Sequence, residues 1–242
     1  MKIVGVIPAR YKSSRFPGKP IVDLCGKPMI WWVYQNASKV KEFEDVYVAT
    51  DEPKIKDVCK KYGIKCIMTK DTHPTGTDRI AEFAQKIDAD LYVDIQVDEP
   101  LMKPETIKQV ILPFKKDKDL HVSNLMTEIR EMADLLDSGT IKVVFNPKKE
   151  LVYMSRQPIP YRKGTEDVKY YKQVCAYGFS PYSLDKYINW KRGPAESAED
   201  IEILRYIEHG IRVQMVEVKQ DTVGVDTPKD LAKVSKILSK KK

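Results

Sequence analysis

Four short apolar runs separated by amphipathic segments constrain this chain more than any other feature of its sequence. Ile3–Ile7, Val46–Thr50, Lys65–Met68 and Leu91–Ile95 read as strands. Helices are expected between them, around Met29–Ser38, Pro53–Tyr62 and Arg79–Ile87. A helix between two strands makes the connection a crossover, and strands joined by crossovers run parallel. The expectation is α/β, with a mainly parallel sheet flanked by helices. Pro28 and Pro53 suit first-turn positions, where a missing N–H costs little. Pro104–Phe114 reads as a further helix opened by Pro104.

The rhythm changes after about Phe114. Val122–Glu128, Ile141–Phe145, Leu151–Met154 and Val174–Phe179 are short β-rich pieces joined by polar turns. They imply antiparallel additions to the sheet, or a small arm. Ser180-Pro181 starts another helix, and Ser197-Ala198-Glu199-Asp200 is expected to lead into a helix over Ile201–His209, stopped by Gly210. A strand near Arg212–Val218 follows, and Thr227-Pro228 caps a last helix to about Leu238. With no repeat, low-complexity stretch or linker, the expectation is one domain over 1–242, with a smaller β-rich part within roughly 115–180.

Ile7-Pro8-Ala9-Arg10-Tyr11-Lys12-Ser13-Ser14-Arg15-Phe16-Pro17-Gly18-Lys19-Pro20 begins at the end of the first apolar run. It packs cations and hydroxyls into a loop broken by Pro17, Gly18 and Pro20. A polyphosphate needs such a loop: charge-assisted hydrogen bonds from Arg and Lys, and backbone N–H groups that a glycine lets come close. Gly18-Lys19 is followed by Pro20, so it is not a Walker A loop, and no G-x-G-x-x-G follows the strand. The other reading is a solvated basic loop, which leaves the coincidence of strand, cations and turn residues unexplained.

The net charge is +7. The lysines are scattered among acidic residues, and the only dense block is Lys240-Lys241-Lys242 at the terminus. A binder of anionic small molecules accounts for this charge better than a nucleic-acid protein does. Cys25, Cys59, Cys66 and Cys175 lie far apart without a C-x-x-C, indicating neither zinc nor a disulfide framework. No apolar run approaches the roughly 20 residues of a membrane span, and no signal-peptide core is present. A cytoplasmic protein without a membrane or nucleic-acid partner is expected.

Two carboxylate sites stand out. Leu91–Ile95 runs into Gln96-Val97-Asp98-Glu99-Pro100, which reads either as a magnesium site at a strand's carboxyl end or as an acidic turn. Asp226, in Val223-Gly224-Val225-Asp226-Thr227-Pro228, reads either as a second ligand or as part of a helix start. Together, Asp98 and Asp226 would make a two-carboxylate metal site.

The loop pattern P-A-R-x-x-S-S-R-x-P-G-K-P resembles that of the sugar-activating cytidylyltransferases, and within them the CMP-Kdo synthetase family (Kdo, 3-deoxy-manno-octulosonate). That family shows V-A-T-D, G-T-x-R, Q-G-D-E-P, S-R-x-x-I-P and V-D-T-P in this order. Here the corresponding stretches are Val48–Asp51, Gly76–Arg79, Gln96–Pro100, Ser155–Pro160 and Val225–Pro228. Each is weak alone; ordered over more than 200 residues, they are specific. The resemblance implies a nucleotide-diphospho-sugar transferase type of fold. It also implies transfer of CMP from CTP to the anomeric hydroxyl of an acidic sugar, with release of pyrophosphate, in lipopolysaccharide biosynthesis.

It further implies that Arg10, Ser13, Arg15 and Lys19 hold the CTP phosphates, that Arg79 and Gln96 bind the nucleotide, and that Asp98 and Asp226 coordinate Mg²⁺. Lys19, Asp98 and Asp226 are then the catalytic set, and a homodimer through the β-rich region is implied. On the acceptor side, Arg156 keeps the family's position and suits a substrate carboxylate. Tyr177 and Glu199 fall in acceptor-side motifs.

Three departures qualify the match. Val97 replaces the glycine of Q-G-D-E-P, which opens the alternative of a nucleotide-binding protein without catalysis. Gln173-Val174-Cys175-Ala176-Tyr177-Gly178-Phe179 replaces H-x-G-I-Y-G-Y, losing a histidine and a tyrosine hydroxyl. The family's L-E-Q-L-R is set against Ala198-Glu199-Asp200-Ile201-Glu202, with Glu202 for the arginine. On this reading Gln173 and Glu202 favour an acid other than Kdo, through the same chemistry on a different carboxylated acceptor.

Overall fold

The computed structural model describes residues 1–12, 16–165, 167–220 and 222–240. The chain forms two compact units, one from Met1–Lys108 and Thr222–Lys242, the other from Gln109–Asp221. It has the mixed α/β fold, mainly parallel with flanking helices and a smaller antiparallel part, that the sequence implies.

In the first unit, β1 (Ile3–Ala9) lies between β4 (Asp45–Thr50) and β6 (Leu91–Ile95), parallel to both. β5 (Cys66–Met68) pairs parallel with β4. Every residue of β1 and β6 is buried, whereas β5 is half-buried throughout. Strands covered on both faces have no polar side to alternate with, hence runs that are apolar save for buried Asp94 in β6. Gly5 is required within β1, because a Cβ there would meet the Phe43 ring at 2.9 Å. β2 (Asp23–Leu24) and β3 (Lys27–Pro28) form a tight hairpin turned by Cys25 and Gly26, both at positive φ as a two-residue turn demands.

Helices Met29–Ala37, Pro53–Lys61 and Gly76–Ala84 occupy the crossovers. The sequence expectation of one helix over Pro104–Phe114 is corrected. The chain forms Pro104–Ile107, a 3₁₀ turn at Lys108–Ile111 and a separate helix, Leu112–Lys116. Pro113 is the physical cause: with no N–H it cannot donate back into the preceding turn, and it is tolerated only in the first turn of a new helix. The last helix, Pro228–Ser239, packs Val234 and Leu238 against Leu24, Met29 and Val225.

The second unit pairs β7 (Val122–Glu128) antiparallel with β10 (Tyr171–Phe179) and parallel with β11 (Val213–Glu217). β8 (Lys142–Phe145) pairs antiparallel with β10 and with β9 (Leu151–Ser155). The expected helix over Ile201–His209 is corrected: the chain makes Pro194–Glu199, then Leu204–Glu208. Asp200 lies between them in left-handed backbone (φ 52°, ψ 50°), which ends the first helix. Among the described residues, no helix is long and apolar enough to cross a membrane.

Candidate active site

β4 and β5 lie on one side of β1 and β6 on the other, so strand order reverses at β1. Ligands of open parallel sheets bind outside the carboxyl ends of the strands at such a point. Arg10 follows β1, Asp51 follows β4, Thr69 follows β5 and Gln96 follows β6. Arg10 donates from Nη1 to the Pro74 carbonyl at 2.7 Å. Ser13 and Arg15 lie outside the described residues.

The basic loop folds back through Gly18, whose N–H donates to the Tyr11 carbonyl at 2.9 Å. Gly18 has φ 72°, where an L side chain would be strained. It starts the 3₁₀ turn Lys19–Ile21 and turns Lys19 inward. The Lys19 ammonium donates to Asp98 Oδ2 at 2.7 Å and to Asp226 Oδ1 at 3.0 Å. Burial pulls this ammonium down, but the two carboxylates more than offset that, and it titrates above its ordinary value.

The two aspartates, far apart in sequence, are aligned by local bonds. Glu99 N–H closes the turn after β6 on the Gln96 carbonyl at 3.1 Å, and Val225 N–H donates to the Asp98 carbonyl at 2.9 Å. The Thr227 hydroxyl and Asp230 form a capping box at the start of the last helix, and Asp226 N–H also donates to Asp230 Oδ2 at 3.2 Å. Thr227 therefore does the capping, and the Asp226 side chain reaches Lys19. Val97 does not sit in left-handed backbone and buries its side chain, so the missing glycine leaves no strain in this turn.

Arg79, which the resemblance implies in nucleotide binding, lies on helix Gly76–Ala84. Its side chain is fully buried, ion-paired with Asp51 at 2.8 Å, and bonded to the Thr69 hydroxyl and the Lys70 carbonyl. Burial pulls its pKa down, with Asp51 opposing. From there it holds the segment after β5. Gln96 donates from Nε2 to Asp94 Oδ2 at 2.7 Å. Asp51 was not singled out from the sequence, although V-A-T-D contains it.

In the second unit, Arg156 donates from Nε to the Glu199 carbonyl at 2.7 Å, from Nη1 to that of Ser138 at 3.2 Å and from Nη2 to that of Asp200 at 3.1 Å. These donors go to the main chain, where the sequence reading expected a substrate carboxylate. Glu199 accepts from the Ser155 hydroxyl at 2.6 Å and from Arg156 N–H at 2.9 Å. The Lys142 side chain is buried, and its ammonium donates to the carbonyls of Asp137, Thr140 and Arg156.

β10 bulges between Val174 and Tyr177. Buried Asn124 bridges the bulge, donating to the carbonyls of Val174 at 3.1 Å and Ala176 at 2.9 Å, and accepting from Gln173 Nε2 at 3.0 Å. Gln173 and Tyr177 thus flank a bulge that Asn124 fixes. Its signal in sequence is an amide inside the β-type run Val122–Glu128.

The break at Asp200 also corrects the placement of Glu202. Ile201-Glu202-Ile203-Leu204-Arg205 fits L-E-Q-L-R with Glu202, Leu204 and Arg205 retained, better than the stretch starting at Ala198. The arginine is present after all, and Ile203 replaces the glutamine. Arg205 is buried and pairs with buried Glu196 through Nε at 2.6 Å and Nη2 at 2.7 Å.

Solved structures share this fold. A cytidylyltransferase from Leptospira borgpetersenii shares the fold at TM-score 0.68 and 16% identity, with 99% of this chain and 87% of that one covered. The α/β fold is therefore common to both. A family model described as cytidylyltransferase matches residues 4–217, and the chain belongs to that family. It is 40% identical over 238 residues to the 3-deoxy-manno-octulosonate cytidylyltransferase of Escherichia coli, covering 98% of this chain and 96% of that one. The structure of a CMP:2-keto-3-deoxy-manno-octonic acid synthetase complexed with CTP superposes at TM-score 0.95 and 39% identity, with both chains wholly covered.

Proposed function

We propose that this protein transfers CMP from CTP to the anomeric hydroxyl of Kdo and releases pyrophosphate. The observation that carries this reading is the convergence of Lys19, Asp98 and Asp226 at the carboxyl ends of the strands, in a chain alike over its full length to enzymes named for that reaction. The anomeric oxygen attacks the α-phosphorus, the bond from that phosphorus to the bridging oxygen breaks, and the hydroxyl proton passes to solvent. No covalent enzyme intermediate is needed, so positioning and charge neutralisation carry the chemistry.

Arg10 and Lys19 offset charge on the phosphates and on the departing pyrophosphate, alongside Ser13 and Arg15. Arg79 acts through the segment it holds, and Gln96 lies at the end of β6. Arg156, Gln173, Tyr177, Glu199 and Glu202 are the acceptor-side candidates. Retention of Arg205 weakens the case for another acid, and Kdo is the acceptor we favour.

Asp98 and Asp226 fit Mg²⁺. They offer hard oxygen donors, and both reach one cationic nitrogen. Among the described residues no group of three or more His, Cys, Asp or Glu could hold a metal, so water and phosphate oxygens would complete the set. Bound there, Mg²⁺ supplies Lewis acidity toward the phosphate and the attacking hydroxyl.

We further infer a cytoplasmic homodimer serving lipopolysaccharide biosynthesis. Met132, Leu136 and Val152 of the second unit expose apolar side chains that self-association would cover, and sedimentation velocity tests this. The reaction is tested by pyrophosphate release from CTP and Mg²⁺ with Kdo and a panel of other acidic sugars. Kdo is expected to be the best acceptor; no release with any acid would overturn the assignment.

A further inference from the structure

The point where Asp98 and Asp226 converge is held by Lys19. Its ammonium is 2.7 Å from Asp98 Oδ2 and 3.0 Å from Asp226 Oδ1. The lysine side chain is 11% exposed, whereas those of Asp98 and Asp226 are 25% and 41% exposed. The buried partner is therefore the cation, and the carboxylates remain open to a competitor from solvent. An ammonium and a divalent ion use the same carboxylate lone pairs, and two cations so close repel each other. Mg²⁺ also demands oxygens at about 2.0–2.1 Å, tighter than the lysine contacts.

We propose that Lys19 is a built-in counter-ion that occupies the metal position and is displaced when the divalent ion binds. The proposal rests on the reading of Asp98 and Asp226 as metal ligands. Lysine suits exchange, because its charge is a point on a flexible stem, unlike a bidentate arginine fork. A polyphosphate at the basic loop supplies acceptors for the released ammonium. Lys19 then moves from carboxylate to phosphate as the metal takes its place. Without nucleotide the protein holds divalent ions weakly, and the cluster carries one net negative charge rather than the two of an unmatched carboxylate pair.

The test measures binding of Mn²⁺ alone, without CTP, by the electron paramagnetic resonance signal of the free ion. Lys19→Met is expected to bind Mn²⁺ about ten-fold or more tightly than the parent, and Lys19→Arg no more tightly, because the local charge is respectively removed and kept. Lys19→Gln replaces Lys19→Met if the latter fails to fold. Adding Asp98→Asn to the neutral variant should abolish the gain. Equal or weaker binding in the folded neutral variant, with Mn²⁺ still lost on Asp98→Asn in the parent, overturns the counter-ion role and leaves the metal ligands standing. Binding that ignores both Asp98→Asn and Asp226→Asn in every background overturns the ligand reading as well.

Discussion

Charge is balanced in opposite ways in the two units. Around Lys19, a cation meets side-chain carboxylates that keep contact with solvent. Around Arg156 and Lys142, cations donate to main-chain carbonyls, and Arg205 meets a glutamate with no exposure at all. A carboxylate can exchange one cation for another at little cost. A buried carbonyl or buried glutamate that loses its donor has nothing to replace it and bears the desolvation penalty in full. The first arrangement suits ligand chemistry; the second holds the backbone in place.

The largest expected effect tests the exchangeable side. Asp98→Asn and Asp226→Asn should each lower turnover by about 10²–10³-fold, the scale of losing one oriented electrostatic contribution, with the melting temperature close to the parent's. Steady-state rates at saturating Mg²⁺ together with thermal unfolding check this. A variant that keeps its rate but melts early would put its carboxylate on the scaffold side. Arg205→Met should show the reverse pattern. Losing one partner of a buried pair costs about 3–5 kcal/mol, and denaturant unfolding should report most of it. Arg192, 3.3 Å from Glu196, softens the loss.

Arg156 falls between these cases and sharpens the contrast. Its donors reach carbonyls at Ser138, Glu199 and Asp200, so Arg156→Lys should loosen that junction by about 1–2 kcal/mol. If it also touches the acceptor, KM for the sugar should rise roughly ten-fold with KM for CTP unchanged, the cost of about one hydrogen bond. A loss of stability with both KM values intact would assign Arg156 wholly to the scaffold.

The same division decides what was legible in the sequence. Lys19, Asp98 and Asp226 each sit where an apolar run meets a turn, so their chemistry could be read locally. That one ammonium joins both carboxylates could not, because the contacts span 79 and 207 positions. The helix boundaries at Pro113 and Asp200 were missed for a local reason. Pro113 breaks a helical pattern from within, and Asp200, in a stretch that reads as a helix start, adopts left-handed backbone. With the helix broken at Asp200, L-E-Q-L-R falls on Ile201–Arg205 and includes Arg205. Arg79 was legible as part of a motif but not as a buried residue, since burial of an arginine depends on Asp51 and Thr69 arriving from other strands.

The smallest expected effect asks whether the first unit also contains a fixed charge. Glu82 is buried on helix Gly76–Ala84 and accepts from Lys70 N–H at 2.8 Å, from Lys86 Nζ at 2.6 Å and from His73. Burial raises its pKa, but Lys86, the Lys70 N–H and His73 outweigh that and hold it at about 2, below the ordinary 4.5. The unfolded carboxyl therefore binds a proton at a pH where the folded one refuses it. Glu82 contributes fully to stability above pH 4.5 and loses that contribution as pH falls toward 2. Glu82→Gln keeps an acceptor for Lys70 and removes the charge, so it should cost about 1–2 kcal/mol at neutral pH, as a hydrogen bond to a charged group does. That difference should be flat from about pH 7 to pH 5 and close as the pH drops further, measured by urea unfolding across the range. A difference that stays constant down to about pH 3 would show that Glu82 acts through shape alone. Its carboxylate would then not be one of the charges that fix the segment after β5.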